Sequence, residues 1–140
     1  MRFWDASALV PLLVDEPDGE RVATYLAGDP ALVVWWGSPI EVTSAFARQE
    51  RAGEWSASEV GQVLERMQAL SAAWHEVVPS DAVRRLAQRL LRVHPLRAAD
   101  SLQLAAALIA AEHEPSSLEF VCLDERLSEA ARREGFPVLA

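Results

Sequence analysis

Ala31-Leu32-Val33-Val34-Trp35-Trp36 is an unbroken apolar run of strand length, and Ser38-Pro39-Ile40-Glu41 follows it directly. A strand apolar on both sides must be buried on both faces, and that happens in parallel sheets covered by helices. The next four residues read as a helix start, with Ser38 as cap, Pro39 at the first helical position and Glu41 three residues past the cap. Strand followed at once by helix is the repeating unit of an α/β fold, and the rest of the chain keeps to it. Upstream, Arg2 to Asp5 reads as a short aromatic strand, Ser7 to Val14 as a short helix, and Asp18 to Gly28 as a helix patterned through Val22, Tyr25 and Leu26. Downstream, the helix opened at Ser38 ends near Gly53, and Ser56-Ala57-Ser58-Glu59 repeats the capping signal ahead of Val60, Val63, Leu64, Met67 and Leu70. Trp74 to Val78 is a third strand. Ser80-Asp81 begins a helix that Pro95 must end, and Leu96 to Glu112 is alanine-rich and strongly helical. Leu118 to Leu123 is a fourth strand, Glu125 to Glu134 a helix stopped by Gly135, and Pro137 to Leu139 a short last strand. The expectation is one domain over residues 1–140, with a parallel sheet of four to five strands and helices on both faces.

Composition narrows the chemistry. The chain has 140 residues, 51% hydrophobic and 24% charged, so a core of ordinary size is available. Its net charge of -8 comes from 21 acidic and 13 basic residues, and every basic residue is arginine. Without lysine there is no Schiff base, no phosphate-loop lysine and no lysine-dependent phosphoacceptor site. Asparagine is also absent. The single cysteine, Cys122, has no internal disulfide partner, and the scattered His75, His94 and His113 offer no zinc spacing. The apolar run from Ala8 to Val14 is preceded by Asp5 and followed by Asp15-Glu16, unlike a signal peptide. Leu104 to Ala111 is far shorter than the roughly 20 residues of a membrane span. A cytoplasmic protein that enters no membrane is expected.

Ligands of open parallel sheets gather at the carboxyl ends of the strands. Two of the strands read here end in an aspartate, Asp5 and Asp124. A strand-end aspartate can simply begin a turn or cap the next helix. Asp100 is harder to dismiss, because it stands among small and apolar residues at the start of a helix that should be largely buried. Glu41 fits a capping box with Ser38, yet its helix begins on the same rim as the strand-end aspartates. Four carboxylates on one rim would repel, and a hard divalent cation such as magnesium or manganese resolves the conflict with oxygen ligands alone. Such a cluster can activate water and stabilise a leaving oxygen in phosphodiester hydrolysis.

Ser7 could cap the following helix or hold a metal-bound water, but has no base to make it a nucleophile. The three histidines read as surface or turn residues and Cys122 as core; Trp35, Trp36 and Trp74 read as core or interface. Arg84, Arg85, Arg89, Arg92 and Arg97 fall within Ala82 to Ala99, a stretch with no acidic residue. That stripe is either a solvated helix face or, beside a carboxylate–metal site, a contact for RNA phosphates.

These motifs resemble the PIN-domain ribonucleases, and specifically the VapC-type toxins of bacterial and archaeal toxin–antitoxin pairs. The resemblance rests on Phe3-Trp-Asp5-Ala-Ser7-Ala-Leu-Val, Glu41 in Ser-Pro-Ile-Glu-Val, Leu96-Arg-Ala-Ala-Asp100-Ser-Leu-Gln-Leu-Ala, and Phe120-Val-Cys-Leu-Asp124-Glu-Arg-Leu. It runs from end to end, with little contribution from Gly53 to Ser80. At Gln103 the chain has an amide where histidine is frequent in the family, a change that removes no metal ligand. The resemblance implies a PIN-like three-layer α/β/α domain and a Mg2+- or Mn2+-dependent endoribonuclease acting on structured, ribosomal or transfer RNA. Asp5, Glu41, Asp100 and Asp124 would hold the metal, with Ser7 in support. It further implies inhibition by a cognate VapB-type antitoxin and assembly as a homodimer.

Two enzyme alternatives fail on single residues. A receiver-type phosphoacceptor domain also sets acids at strand ends, but it needs the missing lysine. A haloacid-dehalogenase-type phosphatase needs a second aspartate two residues after the first, where Ser7 stands. A non-catalytic PIN-like module that only binds RNA or protein is the remaining alternative.

Overall fold

In the computed structural model, which describes residues 1–140, five short strands form one parallel sheet: β1 (Arg2–Trp4), β2 (Leu32–Trp35), β3 (His75–Val77), β4 (Glu119–Val121) and β5 (Val138–Leu139). Their spatial order is β3-β2-β1-β4-β5, with every neighbouring pair parallel. The chain therefore builds outward from β1 to one edge, then crosses back to the other side of β1. The reversal opens a crevice between the carboxyl ends of β1 and β4, the usual place for a site in such sheets.

Seven helices carry the crossovers: α1 (Ala6–Leu13), α2 (Gly19–Gly28), α3 (Ser38–Arg51), α4 (Ala57–Ser71), α5 (Asp81–Val93), α6 (Ala98–Ala110) and α7 (Glu125–Glu134). Successive strand residues point to opposite faces, and two cores result. Phe3, Val33, Trp35, Phe120 and Cys122 face α5, α6 and α7, where Leu90, Leu104 and Leu127 are fully buried. Trp4, Leu32, Val34 and Val121 face the other layer, closed by Leu9, Val22, Val42, Phe46 and Val60. The α/β/α sandwich expected from the sequence is present. The alanines of α6 explain why that helix packs deeply: Ala105, Ala106 and Ala107 are fully buried.

Element ends differ from expectation where backbone geometry intervenes. The helix expected from Leu96 starts at Ala98, because Arg97 is extended (φ -86, ψ 167) as its cap. It stops at Ala110 rather than Glu112, since Glu112 and His113 take left-handed φ values of 52 and 62. Ser38 is not the cap of its helix. Gly37 holds that position and Ser38 is the first helical residue, fully buried, with its hydroxyl engaged by Gln103. Ser56 and Glu59 do form the reciprocal capping box, both bonds at 3.1 Å. His94 is not a surface residue: it is buried beneath α7 with Nε2 2.7 Å from Glu134 Oε2. No helix is long and apolar enough to cross a membrane.

Candidate active site

Asp5 ends β1 and caps α1, accepting the Ser7 N–H at 3.0 Å. Its own N–H continues the ladder to Val121 O at 3.0 Å, so the residue is fixed on both sides of the crevice floor. It is only 4% exposed, and burial pushes its proton affinity up, opposed by hydrogen bonds from Ser7 and raised further by the charge of Asp100. No guanidinium pairs with it, and burying an unpaired carboxylate is costly.

Ser7 does not cap α1, since Asp5 holds that position. Its Oγ accepts the N–H groups of Leu123 and Asp124 at 3.0 and 3.2 Å, tying the start of α1 to the end of β4. One side chain therefore sets the spacing between the two strand-end aspartates. Cys122 lies beneath them, and burial with the nearby Asp5 charge pushes its thiol up to about 12, so it stays protonated.

Glu41 projects from the first turn of α3. The capping box with Ser38 does not form; Glu41 Oε2 instead accepts from Gln103 Nε2 at 2.6 Å, and the same amide nitrogen donates to Ser38 Oγ at 3.0 Å. Burial raises the Glu41 pKa to about 7; the Gln103 bond opposes this, and the charges of Asp5 and Asp100 reinforce it. The charges of Asp5 and Asp100 thus reach Glu41, and that of Asp100 reaches Asp5.

Asp100 and Asp124 are both bound to helix starts. Asp100 Oδ2 accepts the Arg97 N–H at 3.2 Å, and Asp124 Oδ1 caps α7 through the Leu127 N–H at 2.8 Å. Asp124 is therefore the cap of α7 and Asp100 a first-turn acid of α6, and each leaves an oxygen free. The two line a cavity of about 680 Å³ together with Arg97, Glu125, Arg126, Glu129 and Arg132. None of the four carboxylates takes part in an ion pair, although arginines line the same cavity.

The expected metal cluster is not drawn closed: no three acidic, cysteine or histidine side chains meet around one metal position. Each of three carboxylates is held on its own side, Glu41 by Gln103, Asp100 by the Arg97 N–H and Asp124 by the Leu127 N–H.

The arginine stripe is dispersed. Arg84 pairs with Asp81 and Arg89 with Glu134, Arg85 is exposed on α5, and Arg92 lines a shallow recess with Arg89. Only Arg97 of that group reaches the carboxylate cavity. The other two guanidiniums there, Arg126 and Arg132, belong to α7. Their position in the turns after Asp124 was the available signal, obscured by the acids interleaved with them. Trp35 and Trp74 are buried, whereas Trp36 is half exposed and lines an apolar groove with Val83, Ala87 and Leu91.

The fold is that of toxin–antitoxin structures. FitAcB from Neisseria gonorrhoeae superposes with a TM-score of 0.69 at 16% identity, covering 100% of this chain and 97% of that one. A toxin–antitoxin complex from Klebsiella pneumoniae gives 0.68 at 14% identity, with the same coverage of 100% and 97%. No family model matches the chain. In sequence, Ribonuclease VapC45 and Ribonuclease VapC49 of Mycobacterium tuberculosis are each 31% identical over 134 residues, 95% of this chain and 90% of theirs. The chain belongs to the VapC ribonuclease family.

Proposed function

We propose that the protein is a toxin endoribonuclease whose cleft, at the carboxyl ends of β1 and β4, hydrolyses RNA phosphodiester bonds with a divalent cation, Mg2+ or Mn2+. The observation that carries the reading is the gathering of unpaired carboxylates: the charge of Asp100 raises the proton affinity of Asp5, and the charges of Asp5 and Asp100 raise that of Glu41, while no arginine pairs with any of the three. An all-oxygen donor set of this charge fits a hard cation. Asp5, Glu41, Asp100 and Asp124 would hold it. When bound, such a cation supplies an activated water and stabilises the leaving oxygen.

The chain's own residues do the rest. Ser7 fixes Asp5 relative to the β4 end, and Gln103 aims Glu41 from the opposite helix. Burial of Asp5 and half-burial of Glu41 keep bulk water from screening the field.

As partners we propose RNA, a VapB-type antitoxin and a second copy of the chain, in keeping with the toxin–antitoxin neighbours of the fold. The apolar groove at Trp36 is the face suited to a protein contact.

The test is cleavage of a mixed RNA substrate by purified protein with Mg2+ or Mn2+, then with chelator. Metal-dependent cutting, lost in Asp5→Asn and Asp100→Asn, is expected. A folded protein that binds RNA and never cuts it would favour the non-catalytic module.

A further inference from the structure

Three of the cavity's residues carry charge that the catalytic reading leaves unused. Arg97, Arg126 and Arg132 line the space above Asp100 and Asp124, and none of them is in an ion pair. Of the other acids in the same lining, Glu129 is already paired with Arg133 at 3.0 Å, and Glu125 forms no ion pair with any of the three arginines. No apolar or aromatic residue lines the cavity, so it has no aromatic platform on which a base could stack. What remains is a set of planar, always-charged forks that match phosphate oxygens bidentately.

We infer that Arg97, Arg126 and Arg132 are the phosphate-binding wall of the cleft and hold backbone phosphates of an RNA strand across the Asp100–Asp124 floor. The inference rests on the ribonuclease reading and names how that site takes its substrate. Arg126 and Arg132 are separated by about 9 Å of helix axis. That separation gives the two guanidiniums room to engage different phosphates of one strand. Arg97 couples the wall to the floor, since its backbone N–H holds Asp100 while its side chain lines the cavity. With no aromatic stacking surface, the wall reads charge and spacing rather than base identity. The α5 arginines, in contrast, are on a separate surface and are not part of it.

The test is binding of a short fluorescent RNA, in chelator, across a salt series. Each phosphate contact to a single strand contributes about 0.7 to the slope of log affinity against log salt. Replacing Arg97, Arg126 and Arg132 together by glutamine should lower that slope by about 2. An Arg84→Gln, Arg85→Gln, Arg92→Gln protein should keep the parent slope. The single variants Arg126→Gln and Arg132→Gln, each lowering the slope by about 0.7, carry the same test should the triple variant not fold. An unchanged slope in the cleft variants of a protein that still cuts RNA overturns the wall and leaves the ribonuclease reading standing. A parent that neither binds nor cuts RNA overturns both. Displacement of the RNA by polyglutamate as readily as by unlabelled RNA overturns the phosphate assignment in favour of an acidic peptide.

Discussion

Gln103 Nε2 donates to Glu41 Oε2 across 2.6 Å, joining the buried face of α6 to the first turn of α3. The amide's two N–H groups are both used, the second on Ser38 Oγ, while Gln103 Oε1 has no partner. A hydrogen bond to a charged group contributes about 1.5–3 kcal/mol. Gln103→Leu removes that support from the ionised form of Glu41 but also removes an unpaired buried carbonyl. Cleavage at neutral pH should fall about tenfold or more, as expected from that interaction, while the melting temperature changes little. Activity and thermal melts on the same preparation measure both, and a large loss of stability with activity retained would make Gln103 structural only.

The raised affinities of Glu41 and Asp5 also fix the sign of a pH effect. In the unfolded chain Glu41 titrates near the ordinary glutamate value of 4.5, and in the fold at about 7, so between those values the native state binds more protons. The stabilising contribution is complete below pH about 4.5 and is lost as pH rises through about 7. Asp5 acts in the same direction. The metal-free protein should therefore melt higher at mildly acidic pH than above neutrality, and Glu41→Gln should shrink the difference. Melting curves across that range, equal in the two proteins, would refute it.

Much of the fold was legible because its strands are short, apolar and separated by helices with readable starts. Ala31 to Trp36 required burial on both faces, and the structure buries Leu32 to Trp35 completely or nearly so. Asp5 and Asp124 could be placed at one crevice from their strand ends alone. Long-range partners were the illegible part. That Glu41 turns to Gln103 rather than to Ser38 depends on the starts of α3 and α6, which lie on opposite layers, meeting at the rim of the sheet, which no local pattern encodes. His94 was misread for the same reason, since only the packing of α7 supplies Glu134 as its partner.

Ser7→Ala tests the brace between the strand ends. It leaves the N–H groups of Leu123 and Asp124 without their acceptor. An unsatisfied donor costs about 1–3 kcal/mol when buried, and these are only partly buried. A loss of about 1–2 kcal/mol is expected from chemical denaturation, accompanied by reduced cleavage, with Ser7→Thr recovering part of each.

Asp100→Asn separates repulsion from capping. The asparagine keeps a side-chain oxygen for the Arg97 N–H, so the start of α6 stays capped. It removes a charge that raises the proton affinities of Asp5 and Glu41. The metal-free melting temperature should hold or rise while cleavage is lost. A clear drop in melting temperature would mean that the carboxylate serves the helix terminus more than the cleft.

Asp124 has two roles that two substitutions can tell apart. Its Oδ1 caps α7 through the Leu127 N–H, and loss of such a cap costs about 1 kcal/mol. Asp124→Ser keeps a capping oxygen and removes the charge, whereas Asp124→Ala removes both. If Asp124 contributes to the cleft, both variants lose cleavage and only the alanine loses stability. If it is a cap alone, the serine variant cuts RNA like the parent and cleavage in the alanine variant falls only as far as its folded fraction. Because Asp124 is exposed and its N–H remains available to Ser7 in either variant, the strand-end brace is unchanged, and the comparison reports on the carboxylate itself.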